Sequence, residues 1–481
     1  MKKLVLIIYL GLITSITAQT KLPSFFGDNM ILQQNDIVNI WGTDKPNTKI
    51  TIISGWGEKA AITSGKNGKW RTKITTPKAD NKYYEFTIIG TKKIIIKNIV
   101  LGEVWLCSGQ SNMEMPMKGF PNSPINNSNE TILNSRNKNI RLFHTTRKAS
   151  LTPVDDNTGK WTEATPNTVA EFSALGYLFA KKLNEVLDVP VGIINSSWGG
   201  ASAEAWTDKE TLESQFSHIE IPNEGRKAIM HTPTYLYNGM IAPFIGYNIK
   251  GVLWNQGETN RVRPEEYKKL LPAMIKGWRD KWDIGDFSFY MSQVPPFYYG
   301  TGEFSPFIVE AQVSIMQNTI NTGLATTTDI GDCRDIHAPE KALIADRLVY
   351  WALAKDYGFE KVSYNGPIYE SMEIFEENKI RVLFEKSDRD RGLTNKGDKF
   401  DVKGFQIAGD DQIFYPAKAK IAWNKSIIIW SDEVSNPVAV RYAFGNCILG
   451  TLYNTAGIPA ASFRTDKWDN VNRKNPPKTK N

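Results

Sequence analysis

From residue 20 to about 98, apolar and polar positions alternate with period two in short runs: 38–41, 49–53, 70–74, 85–89 and 92–97. Turn-rich pieces such as Asp44-Lys-Pro-Asn47 and Gly65-Lys-Asn-Gly68 separate them. Short half-buried strands punctuated this way predict a small β-sandwich. After Ile99 the texture changes. Wholly apolar runs at 104–107, 140–144, 191–195, 251–255, 288–294 and 324–328 alternate with segments of helical period. The stretch 173–187 places Leu175, Leu178, Phe179 and Leu183 on one face. The stretch 264–282 opens on a proline, suited to a first helical turn, and repeats Tyr267, Leu270, Leu271, Met274, Ile275 and Trp278. Further helices are expected at 307–320 and 340–355. Strand–helix alternation of this kind predicts a parallel sheet covered by helices on both faces. The span 116–170, rich in Asn, Ser, Thr and Pro, is expected to form loops over one edge of that sheet. From 361 strands return, at 379–384, 404–407, 417–423, 426–430 and 438–444, and predict a second β-domain.

The expected division is therefore a leader (1–18), an N-terminal β-sandwich (19–98), a central α/β domain (99–360), a C-terminal β-domain (361–467) and a disordered tail (468–481). A length of 481 residues suits two or three domains, and 41% hydrophobic with 23% charged residues is the composition of a folded globular chain. Met1-Lys-Lys3, the apolar run 4–16 and the small residues Ser15, Thr17 and Ala18 read as a secretory signal peptide cut near Ala18. The run is too short for a membrane span, and no later segment is apolar enough to be one. The mature protein is expected to be exported and soluble, with periplasm and medium not distinguished. Net charge is +7, and +5 once Lys2 and Lys3 leave with the leader (7 − 2 = 5). The basic residues are scattered, which argues against a nucleic-acid partner. Three cysteines, Cys107, Cys333 and Cys447, are too few for a disulfide scaffold. They are expected as buried free thiols, with a Cys107–Cys333 bridge as the alternative.

Polar groups gather where apolar strands end. Ser111 closes Trp105-Leu-Cys-Ser-Gly-Gln-Ser-Asn-Met113, at the carboxyl end of a buried strand, where open α/β sheets carry ligand sites and hydrolases expose a nucleophile. Its base must come from His144, His218, His231 or His337. His337, in Asp332-Cys-Arg-Asp-Ile-His337, follows the run 324–328 and shares that edge. Asp335 is the expected acid partner, with Asp332 as the alternative. Oxyanion donors are expected from the Ser111 amide, from Gly199 or Gly200 after Ile194-Asn-Ser-Ser-Trp198, and from the Gln256 side chain in Leu253-Trp-Asn-Gln-Gly-Glu258. Glu258 is expected to brace that loop. No metal-ligand spacing or phosphate-cradling glycine loop is present in the sequence, so no metal or cofactor is expected.

Together these motifs resemble the sialate O-acetylesterase family, within the SGNH-type (GDSL-like) hydrolases. The resemblance rests on Gly109-Gln-Ser-Asn-Met113, Ser197-Trp-Gly-Gly200, Glu204-Ala-Trp206, Trp254-Asn-Gln-Gly-Glu258 and Asp335-Ile-His337. It continues through Arg441-Tyr442, Leu452-Tyr-Asn454 and Gly457-Ile-Pro-Ala-Ala-Ser-Phe-Arg-Thr-Asp466. It implies an SGNH-like α/β fold, Ser111 as nucleophile, His337 as base, and Gly200 and Gln256 beside the Ser111 amide in the oxyanion hole. Two positions depart from the pattern: Arg334 stands three before the histidine, where the superfamily often has its acid, and Ala338 follows it, where proline is usual. The implied function is an exported serine esterase on acetylated carbohydrates, first among them O-acetylated sialic acids. Acetylxylan or another polysaccharide is the alternative substrate, and a non-catalytic glycan-binding protein the alternative class. Oligomeric state is not legible.

Overall fold

In the computed structural model, residues 19–223, 229–300, 305–385, 392–395, 401–422 and 425–468 are described. The expected leader 1–18, and all of the expected tail except Trp468, lie outside them. The centre is a mostly parallel sheet whose strands run in the order Thr322–Ala325, Ser288–Ser292, Gly251–Asn255, Lys93–Gly109, Val191–Ser197, Asn137–His144 and Trp161–Ala164. All neighbours are parallel except the last, which pairs antiparallel with Asn137–His144.

Because every residue of Val191–Ser197, Gly251–Asn255 and Ser288–Ser292 is buried, these strands show no polar face in the sequence. Period two survives in the packing instead. Val104, Leu106, Ile194, Val252 and Trp254 point into one core with the helices Pro264–Trp282 and Ser305–Asn318. Trp105, Cys107, Ile193, Leu253 and Tyr290 point into the other, with Ala174–Leu187 and Lys341–Asp356. The expected helices at both faces are thus present, within a few residues of their sequence-derived ends. Ser173 caps its helix by accepting from Gly176 N–H, while the longest helix begins at Pro264.

The strand Lys93–Gly109 is continuous through residues 98 and 99. Its first half pairs antiparallel with Tyr84–Ile89 in the N-terminal region, and its second half is a central strand of the parallel sheet. Phe86, Ile88 and Ile96 therefore share one core with Val104 and Leu106. The span 116–170 holds more regular structure than its composition suggested: helices Ser128–Leu133 and Pro166–Ala170, and the edge strand Trp161–Ala164. Beyond 361 come short antiparallel sheets around a separate core that includes Ile380, Val382, Ile407, Ile429 and Tyr442.

The cysteines correct the sequence reading. Cys333 is bonded to Cys447, 114 residues away, and only Cys107 is a free buried thiol. The free-thiol expectation holds for Cys107 alone, and the Cys107–Cys333 alternative does not hold, because Cys107 lies inside the parallel sheet and packs with Ala174–Leu187 while Cys333 sits on a loop facing the C-terminal region. Among the described residues no helix is long and apolar enough to cross a membrane.

A buried ion pair joins the helix Lys341–Asp356 to the loop that follows Thr322–Ala325. Arg347 donates to both oxygens of Asp329, at 2.8 and 2.7 Å, and to Thr326 O at 2.6 Å, with side chains only 6% and 4% exposed. Arg347→Met leaves the Asp329 charge buried and is expected to cost about 3–5 kcal/mol in denaturant unfolding. Arg347→Met with Asp329→Asn is expected to recover part of that loss; equal destabilisation of single and double variants would show that the pair's charges are not what matters.

Candidate active site

Three segments end level with one another because the register makes them. Gly109 is the partner of Ser197 on one side and of Asn255 on the other. Past this level each chain leaves the sheet as a polar turn. Gly109 has φ +125°, and a Cβ there would lie 2.2 Å from Asn255 O, so glycine alone lets the strand turn against its neighbour. Gln110 N–H then donates to Asn255 O at 2.9 Å, and Ser111 opens the short helix Ser111–Glu114, half-buried.

Trp198 N–H donates to Gly109 O at 3.1 Å, which lays the next loop against this turn. A Cβ on Gly199 would come within 3.5 Å of Ser111 Cβ. The Gly199 N–H is taken by Glu114 Oε2 at 2.8 Å, and Glu114 is held in turn by Arg147 at 2.6 Å. Gly200 has φ +75°. Among the described residues neither its N–H nor that of Ser111 has an acceptor. Gln256 is fully buried, and its amide donates to Ala201 O at 3.2 Å and Asn260 Oδ1 at 2.7 Å, while its Oε1 has no partner. The sequence offered this amide as an oxyanion donor; here both of its hydrogens are engaged within the loop.

His337 follows the turn Asp332–Asp335, closed by Asp335 N–H to Asp332 O at 3.1 Å. Asp335 Oδ1 accepts His337 N–H at 2.9 Å and lies 3.3 Å from the ring Nδ1. Ser123 Oγ is 3.4 Å from the same nitrogen, and Phe120 meets the ring edge-on. Asp332 turns away, accepting Arg334 N–H at 2.9 Å. Of the two candidate acids, Asp335 is thus the one at the imidazole. Burial, then the Lys341 charge, hold His337 below the ordinary histidine range, against the opposing pull of Asp335. The ring is neutral at pH 7 and able to accept a proton.

No hydrogen bond joins Ser111 Oγ to His337 among the described residues; catalytic contacts often close only around substrate. What connects the two loops is Asn112. Its Nδ2 donates to Ile336 O at 3.1 Å and to Glu258 Oε1 at 2.7 Å, and its Oδ1 accepts from Lys341 Nζ at 2.5 Å. Neither Asn112, part of the Gly109–Met113 motif, nor Lys341 was given a role from the sequence. Lys341 left a cue: it falls on the buried stripe of its own helix with Ile344, Ala345 and Leu348. The remaining histidines sit elsewhere: His144 is edge-on to Phe172, and His218 bonds Glu266 at 2.8 Å. His231 lines a cavity of about 390 Å³ with Ser202, Thr259 and Arg263, beside the Gly200 loop. A larger cleft, about 1250 Å³, opens at the amino ends of the same strands and contains none of the candidate residues.

Comparison with known proteins gives the family of the chain. The family described as carbohydrate esterase, sialic acid-specific acetylesterase matches residues 101–345. The chain is similar to the sialate O-acetylesterase of Homo sapiens, 26% identical over 401 residues, 74% of each chain. It is also similar to that of Rattus norvegicus, 24% identical over 502 residues, 88% of this chain and 89% of the other. Among solved structures, a carbohydrate acetylesterase from Xanthomonas citri superposes with TM-score 0.84 at 31% identity, covering 93% of this chain and all of that one.

The geometry distinguishes the two aspartates by titration. Removing the Asp335 charge removes what favours the imidazolium, so Asp335→Asn is expected to lower the His337 pKa further. Asp332→Asn should leave it unchanged. Histidine NMR titration reads this directly, and a larger response to the Asp332 change would reverse the assignment.

Proposed function

Since the chain belongs to the carbohydrate esterase family of sialic acid-specific acetylesterases, and is thus a carboxylic ester hydrolase, we propose that it removes acetyl groups from carbohydrates through Ser111, His337 and Asp335. The observation that carries this reading is the shared register at Gly109, which brings the Ser111 turn, the Gly200 loop and the Gln256 loop out of the sheet at one level.

In this mechanism Ser111 Oγ attacks the acetyl carbonyl carbon as its proton passes to His337. The carbonyl oxygen gains the negative charge and meets the free N–H groups of Ser111 and Gly200. Gln256 joins them only by releasing Ala201 O, the longer of its two bonds. Asp335 stabilises the imidazolium, which then protonates the departing sugar oxygen as the C–O bond breaks. Water, deprotonated by the same histidine, attacks the acetyl-serine, releasing acetate and restoring the hydroxyl. No step calls on a metal or cofactor.

O-acetylated sialic acid is the first substrate, on the strength of the family match and the mammalian relatives. Acetylxylan or another acetylated polysaccharide is the second reading, consistent with the 31% identity to a carbohydrate acetylesterase. The sandwich-like N- and C-terminal regions are taken as supports of the central domain, and the protein as exported through its leader to the periplasm or medium. The glycan-binding alternative gives way to the esterase family.

Ser111→Ala is expected to cut acetate release from an activated acetyl ester by about 10⁴-fold or more while the fold stays intact. Turnover near that of the natural protein would remove Ser111 from the mechanism. Acetate release measured side by side on 9-O-acetylated sialic acid and acetylated xylo-oligosaccharides decides the sugar, and activity confined to the latter rejects the first choice.

A further inference from the structure

One amide joins the Ser111 turn, the Gln256 loop and the His337 loop. Asn112 follows Ser111; it donates to the carbonyl of Ile336, which precedes His337, and to Glu258 in the Gln256 loop; and it accepts from Lys341 at the start of the helix behind them. Lys341 is 0% exposed, Asn112 and Glu258 2% each. Among the described residues the Lys341 ammonium has this one hydrogen bond, to a neutral amide and not to a carboxylate. Glu258 is the matching half: Oε1 accepts from Asn112, while Oε2 is buried without a partner.

An arrangement of this kind is costly. A buried charge satisfied by a single neutral acceptor is less stable than an apolar side chain of the same size. Two buried arginines meet carboxylates directly, Arg347 forking onto Asp329 and Arg441 onto Asp466 at two bonds of 2.8 Å, and buried Arg279 spreads its guanidinium over the carbonyls of Phe287, Ile320 and Asn321. Lys341 has the single Asn112 acceptor and lies beneath the candidate site.

Resting on the assignment of Ser111 and His337 above, we infer that Lys341, Asn112 and Glu258 form a positioning chain that sets the spacing of the Ser111 turn and the His337 loop and places a cation beneath the imidazole. The groups that face this cation are Glu258 from the Gln256 loop, Asp335 and His337 from the loop before the helix, and Glu340 beside it. Glu258 in turn lies near Arg261 and the buried Tyr299 hydroxyl. Burial pushes the Lys341 ammonium down to about 8, so it remains mostly charged at neutral pH. Its charge disfavours the imidazolium and thereby keeps the base free at lower pH.

Lys341→Met fills the same space without the charge. With thermal midpoint and circular dichroism confirming the fold, kcat on an activated acetyl ester is expected to fall by about 10- to 100-fold with little change in KM. The acid limb of the pH profile is expected to move up by about half a unit or more, and Lys341→Arg to move it back. An unshifted limb with natural kcat in folded Lys341→Met overturns the proposal. Should that variant not fold, Asn112→Ala decides: it is expected to lose kcat similarly, and kcat within about twofold of natural overturns the spacing role. Histidine NMR titration with and without Lys341→Met, in an inactive Ser111→Ala background, reads the charge coupling without turnover; no change in the His337 pKa overturns the charge role. Activity surviving Ser111→Ala would instead reject the site assignment itself.

Discussion

Everything at the candidate site depends on one backbone contact: the strand Lys93–Gly109 must pass its neighbour so closely that no side chain fits at Gly109. The Cβ-sized space is filled by the Asn255 backbone, and the strand can turn there only because glycine adopts φ +125°. Parallel pairing then extends the constraint sideways, since a strand in register on each side must leave the sheet at the same height. The two free N–H groups near Ser111 follow from this turn and the adjoining glycine loop, without dedicated donors. Backbone dipoles held by a sheet need no reorganisation when charge develops, which is what oxyanion stabilisation requires.

Much of this was readable in advance. The alternation at 49–53, the buried runs at 191–195 and 251–255, and the proline start of 264–282 each carry a local physical signal, and each became the expected element. Ser111 and His337 were singled out because small and polar residues interrupt apolar strands at their ends. What escaped was long-range pairing. Nothing local tells Cys333 to bond Cys447 and leave Cys107 alone. Asp335 was the expected acid, and what keeps Asp332 from the ring is a tight turn in which Arg334 engages it. The Gln256 amide looked like a free donor because its partners, Ala201 and Asn260, belong to turns whose packing the sequence does not specify.

The two halves of the proposed pair are held by different means. Ser111 sits directly beyond a central strand and inherits its rigidity. His337 sits well past the end of Thr322–Ala325, at the sheet edge, where no ladder fixes it. Its loop is tied from several sides instead: the Cys333–Cys447 bond, the Arg347–Asp329 pair, Gly450 N–H donating to Thr328 O at 3.1 Å, and Tyr453 donating to Asp329 at 3.3 Å. Several of these partners come from the C-terminal region, which gives that region a physical role independent of any glycan contact. A cross-link closing so long a loop restricts the unfolded chain by about 4–5 kcal/mol on the chain-entropy account.

The division also explains why a buried polar chain, and not apolar packing, joins the two loops. Apolar contacts are non-directional and tolerate sliding, whereas each bond of Asn112 fixes a direction as well as a distance. A proton can pass between an alcohol and an imidazole only within a narrow range of geometry, so the loop lacking a strand must be referenced to the one that has it. Asn112 is the only residue adjacent to Ser111 on its helical side, and the carbonyl it grips is adjacent to His337. A hydrogen-bond donor at that position transfers the precision of the sheet to the histidine, and the lysine behind it holds the donor's oxygen so that the amide cannot turn over.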